Sequence, residues 1–512
     1  MPILGTNGND VIDLNEEYEA NPEDGDVNAL AGDDLITFAW AFIPHEDESP
    51  DPVHPSHFDV NGGSGTDTLE FNVVGDPEET PSVTLDARTG NLAGMTFTSI
   101  ERVRLFGASQ KDTLYGLDGD DVLNGRGSVD IAYGGAGNDV YYVQSSDDQV
   151  IEEADEGIDT VRVIGGARFT LPANVENLIL VAARDGRGNE LDNVIIGNGS
   201  DNELDGEDGD DFLDGGAGFD ILRGGRGDDT YVVSLGDSVR EISGALGGND
   251  TIITDRSYTL SELLENLVLT GTADLNGTGN ASVNRLTGNA GDNRLDGKAG
   301  ADVMRGLAGD DTYVVDNAGD QVIETASAGR DSVLASVSFR IGAHVEKLTL
   351  TGTEAINGTG NSGNNVITGN SAANTLIGQS GDDTIRGGTG DDRIFGGRGN
   401  DSLRGEGGTD RFYFDTALSA ASNVDDLINF TPSDDWILLD RRIFSGIASD
   451  GVLSASAFRL GTTAQDATDR IIYNPANGNI YYDPDGVGGA DAILFARVPD
   501  GAAVTAADFF AY

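Results

Sequence analysis

The chain has 512 residues, of which 89 are acidic and 30 are basic, giving a formal net charge of −59. Such a charge repels nucleic acids and anionic lipid surfaces and favours cations as partners. There is no cysteine, which excludes disulfides, thiolate metal sites and cysteine nucleophiles. The 73 glycines are too few for collagen and too many for an ordinary globular enzyme.

Residues 1–20 lack a basic stretch followed by an apolar core. No apolar run approaches the roughly 18 residues of a membrane span. We therefore expect a soluble chain without an amino-terminal export signal or a transmembrane segment. High charge of one sign with modest hydrophobicity also points to disorder, unless counterions neutralise the charge and the glycines recur with a period.

The first 106 residues contain three single, divergent copies of a short glycine–aspartate motif, at Asp10, Asp34 and Asp67. An insertion at 38–61 follows the second copy and contains three of the four histidines. Two alternatives remain open for it. The ligand spacing permits a transition-metal site, whereas the proline-rich sequence favours a solvated loop. The histidines concerned are His45, His54 and His57.

From residue 107 the copies follow one another every nine residues, at Asp112, Asp121, Asp130 and Asp139. The preceding glycines permit positive φ and close backbone approach, so we expect tight turns whose carbonyls converge. The residues after each aspartate predict a short strand with one inward side chain. These inward positions are Leu114, Leu123, Ala132 and Tyr141.

The same register returns in three further blocks. Asparagine replaces aspartate in the first rungs of each, and a neutral amide can donate and accept across a stack without a counterion. We therefore predict that these asparagine rungs are poor in metal. The aspartates are Asp211, Asp220 and Asp229, then Asp302 and Asp311, then Asp383, Asp392, Asp401 and Asp410; the asparagines are Asn193, Asn202, Asn284, Asn293, Asn365 and Asn374.

Similar segments separate the blocks. They begin with VENL at 175–178, LENL at 264–267 and VEKL at 345–348, and IERV at 100–103 is a divergent first member. Alternating runs such as QVIE at 149–152 predict half-buried β-strands. We expect these segments to be β linkers.

Beyond Tyr413 the nine-residue rhythm ends and ordinary packing residues return, including Trp436 and Phe444. Residues 469–486 predict a strand, a turn at Asn477-Gly478 and a hairpin partner. We expect a separate β-rich domain here.

Two nine-residue units make one coil of a parallel solenoid, so equivalent turns lie 18 residues apart and their carboxylates form rows. Stacked like charges repel one another, and calcium suits such rows because it takes 6–8 oxygen ligands at about 2.3–2.6 Å. The alternative is an aspartate that only forms local hydrogen bonds. We predict several calcium ions on these ligands: Asp10, Asp34, Asp67, Asp112, Asp121, Asp130, Asp139, Asp211, Asp220, Asp229, Asp302, Asp311, Asp383, Asp392, Asp401 and Asp410.

The repeated GGxGxDxUx pattern resembles that of the RTX (repeats-in-toxin) family, whose nonapeptides form calcium-binding parallel β-rolls. The carboxyl-terminal region, ending in Asp508-Phe-Phe-Ala-Tyr512, is similar to that of the serralysins. The resemblance implies an all-β fold of β-roll blocks and secretion through the type I machinery. The final residues are then an export signal; a plain last strand is the alternative.

We predict the following domains: a divergent β-roll-like region at 1–106, nonapeptide blocks with β linkers at 107–183, 184–276 and 277–357, a fourth block at 358–413, and a carboxyl-terminal β domain with the secretion signal at 414–512.

Two functions remain open. The sequence contains neither H-E-x-x-H nor G-x-S-x-G, the motifs of zinc proteases and of hydrolase nucleophile elbows. We therefore expect no enzyme, no catalytic residue, and a secreted, extracellular or cell-surface calcium-binding protein. It would serve as a surface-layer, biofilm-matrix or adhesive module, with self-assembly or cell-surface polysaccharide as further partners. The alternative is an extracellular polysaccharide-active enzyme or a carbohydrate-binding auxiliary module.

Overall fold

The computed structural model describes residues 3–14, 25–29, 31–41, 58–74, 82–92, 95–242 and 247–512. Their regular elements are short β-strands, apart from brief helical turns such as the 3-10 helices Ala87–Thr89, Ala455–Ala457 and Ala506–Asp508. The chain divides into two compact units, residues 1–253 and 254–512. His45, His54 and His57, the histidines of the insertion, lie outside the described residues.

The strands of the first unit are, in chain order, β1 Ile3–Leu4, β2 Val11–Asp13, β3 Gly25–Asn28, β4 Leu35–Ala41, β5 Phe58–Asn61, β6 Thr68–Val74, β7 Thr84–Asp86, β8 Asn91–Leu92, β9 Met95–Thr98, β10 Arg102–Phe106, β11 Thr113–Tyr115, β12 Val122–Asn124, β13 Ile131–Tyr133, β14 Val140–Val143, β15 Gln149–Ile151, β16 Thr160–Val163, β17 Arg168–Thr170, β18 Asn177–Leu180, β19 Asp185–Arg187, β20 Val194–Asn198, β21 Glu203–Asp208, β22 Phe212–Gly216, β23 Ile221–Arg226, β24 Thr230–Val232, β25 Ser238–Val239 and β26 Thr251–Thr254.

Those of the second unit are β27 Tyr258–Thr259, β28 Asn266–Leu269, β29 Asn276–Thr278, β30 Arg285–Thr287, β31 Arg294–Asp296, β32 Val303–Arg305, β33 Thr312–Val315, β34 Gln321–Val322, β35 Ser332–Ala335, β36 Phe339–Arg340, β37 Lys347–Leu350, β38 Gly358–Thr359, β39 Val366–Thr368, β40 Thr375–Ser380, β41 Thr384–Thr389, β42 Arg393–Arg398, β43 Ser402–Gly407, β44 Arg411–Phe414, β45 Asp425–Leu427, β46 Trp436–Leu439, β47 Gly451–Val452, β48 Phe458–Leu460, β49 Ile471–Asn474, β50 Asn479–Tyr482, β51 Ile493–Arg497 and β52 Phe509–Ala511.

Within each unit the repeat strands form a parallel solenoid in which a strand pairs with the strand two places further along the chain. In the first unit β12 lies between β10 and β14, and β21 lies between β19 and β23. The register places Leu105 beside Leu123 and Leu123 beside Tyr141. Two strands therefore make one coil, and the predicted β-roll architecture is confirmed.

The segments between the blocks are further coils of the same solenoids rather than separate connecting strands. In the first unit β16 pairs in parallel with both β14 and β18. In the second unit β35 pairs in parallel with β33 and β37. Their alternating apolar residues continue the core because the parallel pairing keeps every second side chain inward.

One apolar side chain per nine residues points into each coil, as the repeat predicts. Leu213, Leu222 and Tyr231 are fully buried. Of the inward positions predicted for the first block, Ala132 is only half-buried. The core is one side chain wide, so apolar burial provides limited stability per residue.

In the four nonapeptide blocks the first glycine of each aspartate motif is also buried, and it faces the aspartate five residues later. A Cβ on Gly206 would overlap Asp211 Oδ2 and lie 2.8 Å from the Gly224 carbonyl oxygen. We expect Gly206→Ala to lower the free energy of unfolding by about 1–3 kcal/mol because the side chain overfills the turn. Urea unfolding of the calcium-loaded protein measures this change.

Gly199 provides a matched control in the same block, since a Cβ there meets nothing within 4 Å. Gly199→Ala should change the free energy of unfolding by less than about 0.5 kcal/mol. Equal unfolding curves for the two variants would contradict the tight packing of the Gly206 turn.

The carboxyl-terminal part of the second unit changes from parallel to antiparallel pairing. The first two strands, β45 and β46, still stack in parallel on the last repeat strands. Strands β49 and β50 then form an antiparallel hairpin whose turn contains Gly478 at φ +70°, which confirms the predicted hairpin. The final residues form β52, with Phe509 and Ala511 buried. Their proposed role in export stays a prediction.

Candidate metal sites in the turns

The repeat aspartates form hydrogen-bonded rows that run from coil to coil. Asp121 Oδ1 accepts a hydrogen bond from the backbone N–H of Val103 at 2.6 Å, and the N–H of Asp121 donates to Asp139 Oδ1 at 2.7 Å. In the second block the N–H of Asp211 donates likewise to Asp229 Oδ1 at 2.9 Å. Equivalent carboxylates on successive coils therefore stand above one another.

The residues that precede the aspartates form a second row, in which the N–H of the later coil donates to the side chain of the earlier coil. The N–H of Asp228 donates to Asp210 Oδ1 at 2.7 Å, and the N–H of Asp210 donates to Asp192 Oδ1 at 2.8 Å. This row is more exposed than the first. Each turn is thus bonded to the coils before and after it through its own side chains.

The second carboxylate oxygen of most row aspartates has no hydrogen-bond partner although it is buried. A buried carboxylate oxygen without a partner is costly, whereas a hard cation would satisfy it. The donor set therefore fits a calcium-like ion. The atoms concerned are Oδ2 of Asp34, Asp67, Asp130, Asp139, Asp211, Asp220, Asp229, Asp302, Asp311, Asp331, Asp383, Asp392 and Asp401.

The turns differ in whether the aspartate Oδ2 has a hydrogen-bond partner. The backbone conformation of the residue four positions before the aspartate accounts for most of this difference. Glu207, four residues before Asp211, has φ +86°, and Leu307, before Asp311, has φ +82°. In both turns Oδ2 has no hydrogen-bond partner. We call a turn with this positive φ open. Open turns precede Asp67, Asp130, Asp139, Asp211, Asp220, Asp229, Asp302, Asp311, Asp383, Asp392, Asp401 and Asp410.

In the other turns, which we call closed, the N–H four residues earlier donates to the side chain. Ala108 and Leu117 donate in this way to Asp112 Oδ2 and Asp121 Oδ2. The same bond joins Thr6 to Asp10. These three predicted ligands therefore differ from the open-turn aspartates. For Asp34 the residue four positions earlier lies outside the described residues.

All six asparagine rungs are closed turns. The N–H of Asn189 donates to Asn193 Oδ1 at 2.8 Å, and Asn193 Nδ2 donates to the Glu176 carbonyl at 3.2 Å. Both amide atoms therefore have protein partners and need no ion, in agreement with the expectation for these rungs. The remaining five closed asparagines are Asn202, Asn284, Asn293, Asn365 and Asn374.

Burial makes the row carboxylates weak acids when no cation is present. Desolvation raises the pKa of Asp211 to about 8, against the lowering effect of the hydrogen bond from Asn193. Desolvation likewise raises the pKa of Asp383 to about 7. Desolvation also raises the pKa of Asp121, in a closed turn, to about 7. The effect of burial on the pKa therefore does not distinguish the two kinds of turn.

Replacing an open-turn aspartate should remove bound calcium. We expect Asp392→Asn to lower the number of calcium ions per chain because it deletes a carboxylate ligand from the row. Asp112→Asn, at a closed turn, should leave that number unchanged. Native mass spectrometry at fixed free calcium counts the ions. An equal loss in both variants would contradict the distinction between open and closed turns.

Two further groups of acidic residues lie at the rows, and the nine-residue pattern does not predict them. The first group consists of glutamates at the ends of the rows. Glu176 Oε2 accepts a hydrogen bond from the N–H of Asp159 at 2.7 Å, and Glu346 Oε2 accepts one from the N–H of Asp331 at 2.8 Å. In the sequence, these glutamates are the second residues of the recurring VENL-like segments. The second group follows each of the first three blocks and comprises Glu152, Asp159, Glu241, Asp250, Glu324 and Asp331.

Together, the parallel coils and the oxygen-lined turns define a β-solenoid protein with repeated candidate sites for hard cations. The chain matches the family described as RTX calcium-binding nonapeptide repeat (4 copies) at residues 106–141, 187–222, 208–239, 278–313, 359–394 and 386–416. The chain thus contains RTX calcium-binding nonapeptide repeats, as its repeat pattern predicts. No curated protein matches the sequence. The likeness of the carboxyl-terminal region to serralysins stays a prediction.

RTX nonapeptide repeats are calcium-binding repeats, and proteins that carry them are typically secreted. The matched segments include open turns in each of the four blocks. Within the part of the chain that the structure describes, no helix is long and apolar enough to cross a membrane.

Proposed function

We propose that this protein binds several calcium ions in its open turns, folds on extracellular calcium after type I secretion, and acts without catalysis. Its role would be that of a surface-layer, biofilm-matrix or adhesive module. The observation that carries this proposal is repetition, because the same open turn with the same unpaired carboxylate oxygen recurs in all four blocks.

Calcium is the ion that this donor chemistry favours. The unpaired atoms are carboxylate oxygens in glycine-rich turns, and a backbone carbonyl lies nearby; Gly224 O, for example, is beside the position that a Gly206 Cβ would occupy. Calcium accepts 6–8 such oxygens in flexible geometry, whereas zinc prefers nitrogen and sulfur ligands. Many equivalent sites suit stabilisation of a long solenoid.

One observation favours carbohydrate binding as a second candidate. Tyr115 and Tyr133 stack on successive coils with ring centroids 4.5 Å apart, and the Arg88 guanidinium lies 3.8 Å from the Tyr115 centroid. Both rings are half-buried. Aromatic faces beside a cationic, hydrogen-bonding group are suited to contact with sugar rings.

Electron microscopy of the secreted protein with and without calcium tests the structural role. We expect ordered sheets, filaments or cell-surface layers with calcium and none in chelator. A glycan depolymerisation screen and a glycan-binding array run on the same preparation test the alternatives. Discrete monomers that depolymerise a polysaccharide would overturn the non-enzymatic proposal, and monomers that bind a glycan without cleaving it would favour the carbohydrate-binding module.

A further inference from the structure

Three carboxylate clusters lie where the first three nonapeptide blocks end; their aspartates are buried, and their glutamates are buried or half-buried. Each combines the last aspartate of a block, a glutamate twelve or thirteen residues later, and an aspartate twenty or twenty-one residues later. One oxygen from each side chain lies within 4.8 Å of the other two. We call these clusters the acidic triads: Asp139, Glu152 and Asp159; Asp229, Glu241 and Asp250; Asp311, Glu324 and Asp331.

The triads arise where the coil is longer than the usual 18 residues. Strand pairing keeps its register across the longer coil, since Tyr141 still lies beside Val161. The row also continues, because the N–H of Asp139 donates to Asp159 Oδ1 at 2.8 Å. The additional residues therefore belong to the connection between the strands, and this connection places Glu152 beside Asp139 and Asp159 of the row.

Buried oxygens without partners distinguish the triads from an ordinary acidic surface. Asp139 is fully buried and Glu152 is only 7% exposed. Asp139 Oδ2 and Glu152 Oε2 have no hydrogen-bond partner. In the third triad Oδ2 of Asp311 and of Asp331 are buried without a partner as well. The interiors of the first and third triads thus hold carboxylate oxygens that the protein itself does not satisfy.

A tyrosine and a glycine complete the site. The Tyr141 hydroxyl donates to Glu152 Oε1, and the Tyr313 hydroxyl donates to Glu324 Oε1. A Cβ on Gly134 would overlap Asp139 Oδ2 and the Tyr141 hydroxyl, and it would lie 2.6 Å from Glu152 Oε1. Glycine is therefore required for the cluster to form.

Three carboxylates this close cannot all be ionised without a positive charge among them. In the first triad Asp139 and Glu152 are buried, and one oxygen of each lies within 4.8 Å of an oxygen of Asp159. Either shared protons or a cation must therefore compensate the cluster at neutral pH. Three carboxylates and a tyrosine hydroxyl are an oxygen-only donor set, which is preferred by calcium.

We propose that each acidic triad binds one divalent cation of the calcium class and thereby joins the end of a nonapeptide block to the coil that follows. This inference rests on the proposed calcium-binding function, but only the first aspartate of each triad belongs to a glycine-rich turn. The glutamate comes from the connecting segment, outside the nine-residue motif. The ion would fasten that segment to the solenoid.

The fourth block provides an internal contrast. The N–H of Asp410 donates to Asp435 Oδ1, but Asp435 Oδ2 accepts from the N–H of Thr431 at 2.8 Å and so has a protein partner. Among the described residues no third acid forms a triad there. The fourth block should therefore end without this additional ion.

Ion counting on the full chain tests the inference. Native mass spectrometry at fixed free calcium should show one ion fewer in each of Glu152→Gln, Glu241→Gln and Glu324→Gln, and three fewer in the triple variant. The matched control is Glu153→Gln, which removes an exposed carboxylate one position away and should retain every ion. Circular dichroism establishes that each variant is folded; if the triple variant is not, the single variants decide.

Terbium luminescence provides an independent readout. Terbium replaces calcium, and a tyrosine beside the ion sensitises its emission. The Tyr141 and Tyr313 hydroxyls bond the triad glutamates, so the triple glutamine variant should lose much of the sensitised emission, whereas Glu153→Gln should retain it. Wild-type protein that binds no calcium would overturn the proposed function. Wild-type protein that binds calcium, with an unchanged ion count in the glutamine variants, would overturn the triad proposal alone and indicate that protons hold the cluster together.

Discussion

Removing calcium is expected to unfold most of the repeat-containing chain at neutral pH. Each coil buries one apolar side chain per nine residues, and its rows hold carboxylate oxygens that have no protein partner. Without ions these atoms oppose folding, and the narrow core provides little compensation. The β-sheet signal in circular dichroism should therefore disappear in EGTA and return on addition of calcium.

The size of this effect follows from linkage between binding and folding. At a free calcium concentration ten times Kd, each site adds about 1.4 kcal/mol to the free energy of unfolding. Six such sites contribute about 8 kcal/mol, which is comparable with the total stability of a typical domain. Magnesium at equal concentration is the control, because it demands a stricter geometry. A β-sheet signal that is unchanged in chelator would contradict the prediction.

Acidification is expected to substitute for calcium. Desolvation raises the pKa of Asp211 to about 8 and those of Asp302 and Asp392 to about 7. The pKa of aspartate in an unfolded chain is about 3.9. The folded, metal-free solenoid therefore binds more protons than the unfolded chain. Its stability is fully present below about pH 4 and is lost as the pH rises towards about 8.

Thermal unfolding of metal-free protein between pH 4 and pH 8 measures this dependence. The difference in Tm between calcium-loaded and metal-free protein should be largest near pH 8 and should shrink as the pH falls, because protons then neutralise the rows. The trend should persist in high salt, which screens exposed charges much more than buried ones. Replacing Asp211, Asp302 and Asp392 by asparagine should flatten the metal-free curve. A metal-free Tm that rises with pH would contradict this prediction.

Much of the fold could be predicted because the repeat is local. The nine-residue spacing of glycine, aspartate and apolar residue specifies a turn and a short strand within each copy, and two copies make a coil. The inward positions, the rows and the carboxyl-terminal hairpin at Asn477-Gly478 were all evident in this pattern. Only Ala132, half-buried in its coil, departs from the predicted core.

The linkers were harder to interpret because their residues no longer keep the nine-residue spacing. The coil between Asp139 and Asp159 is longer than 18 residues, so the period alone did not reveal that the second aspartate continues the row. Glu152 was predicted only as part of a half-buried strand. Its position beside both aspartates depends on how the longer connection packs.

By itself, the sequence determined the all-β repeat architecture, the abundance of acidic turn positions and the presence of RTX nonapeptide repeats, because these depend on residue types at fixed spacing. Only the tertiary structure decided which turns are open. Asp121 and Asp130 share the same motif position, yet Leu117 donates to Asp121 Oδ2 while Arg126 has φ +66° and leaves Asp130 Oδ2 without a partner. The sign of that φ depends on stacking against neighbouring coils as well as on local composition. Part of the net charge of −59 therefore lies on aspartates of open turns, which are the candidate cation sites.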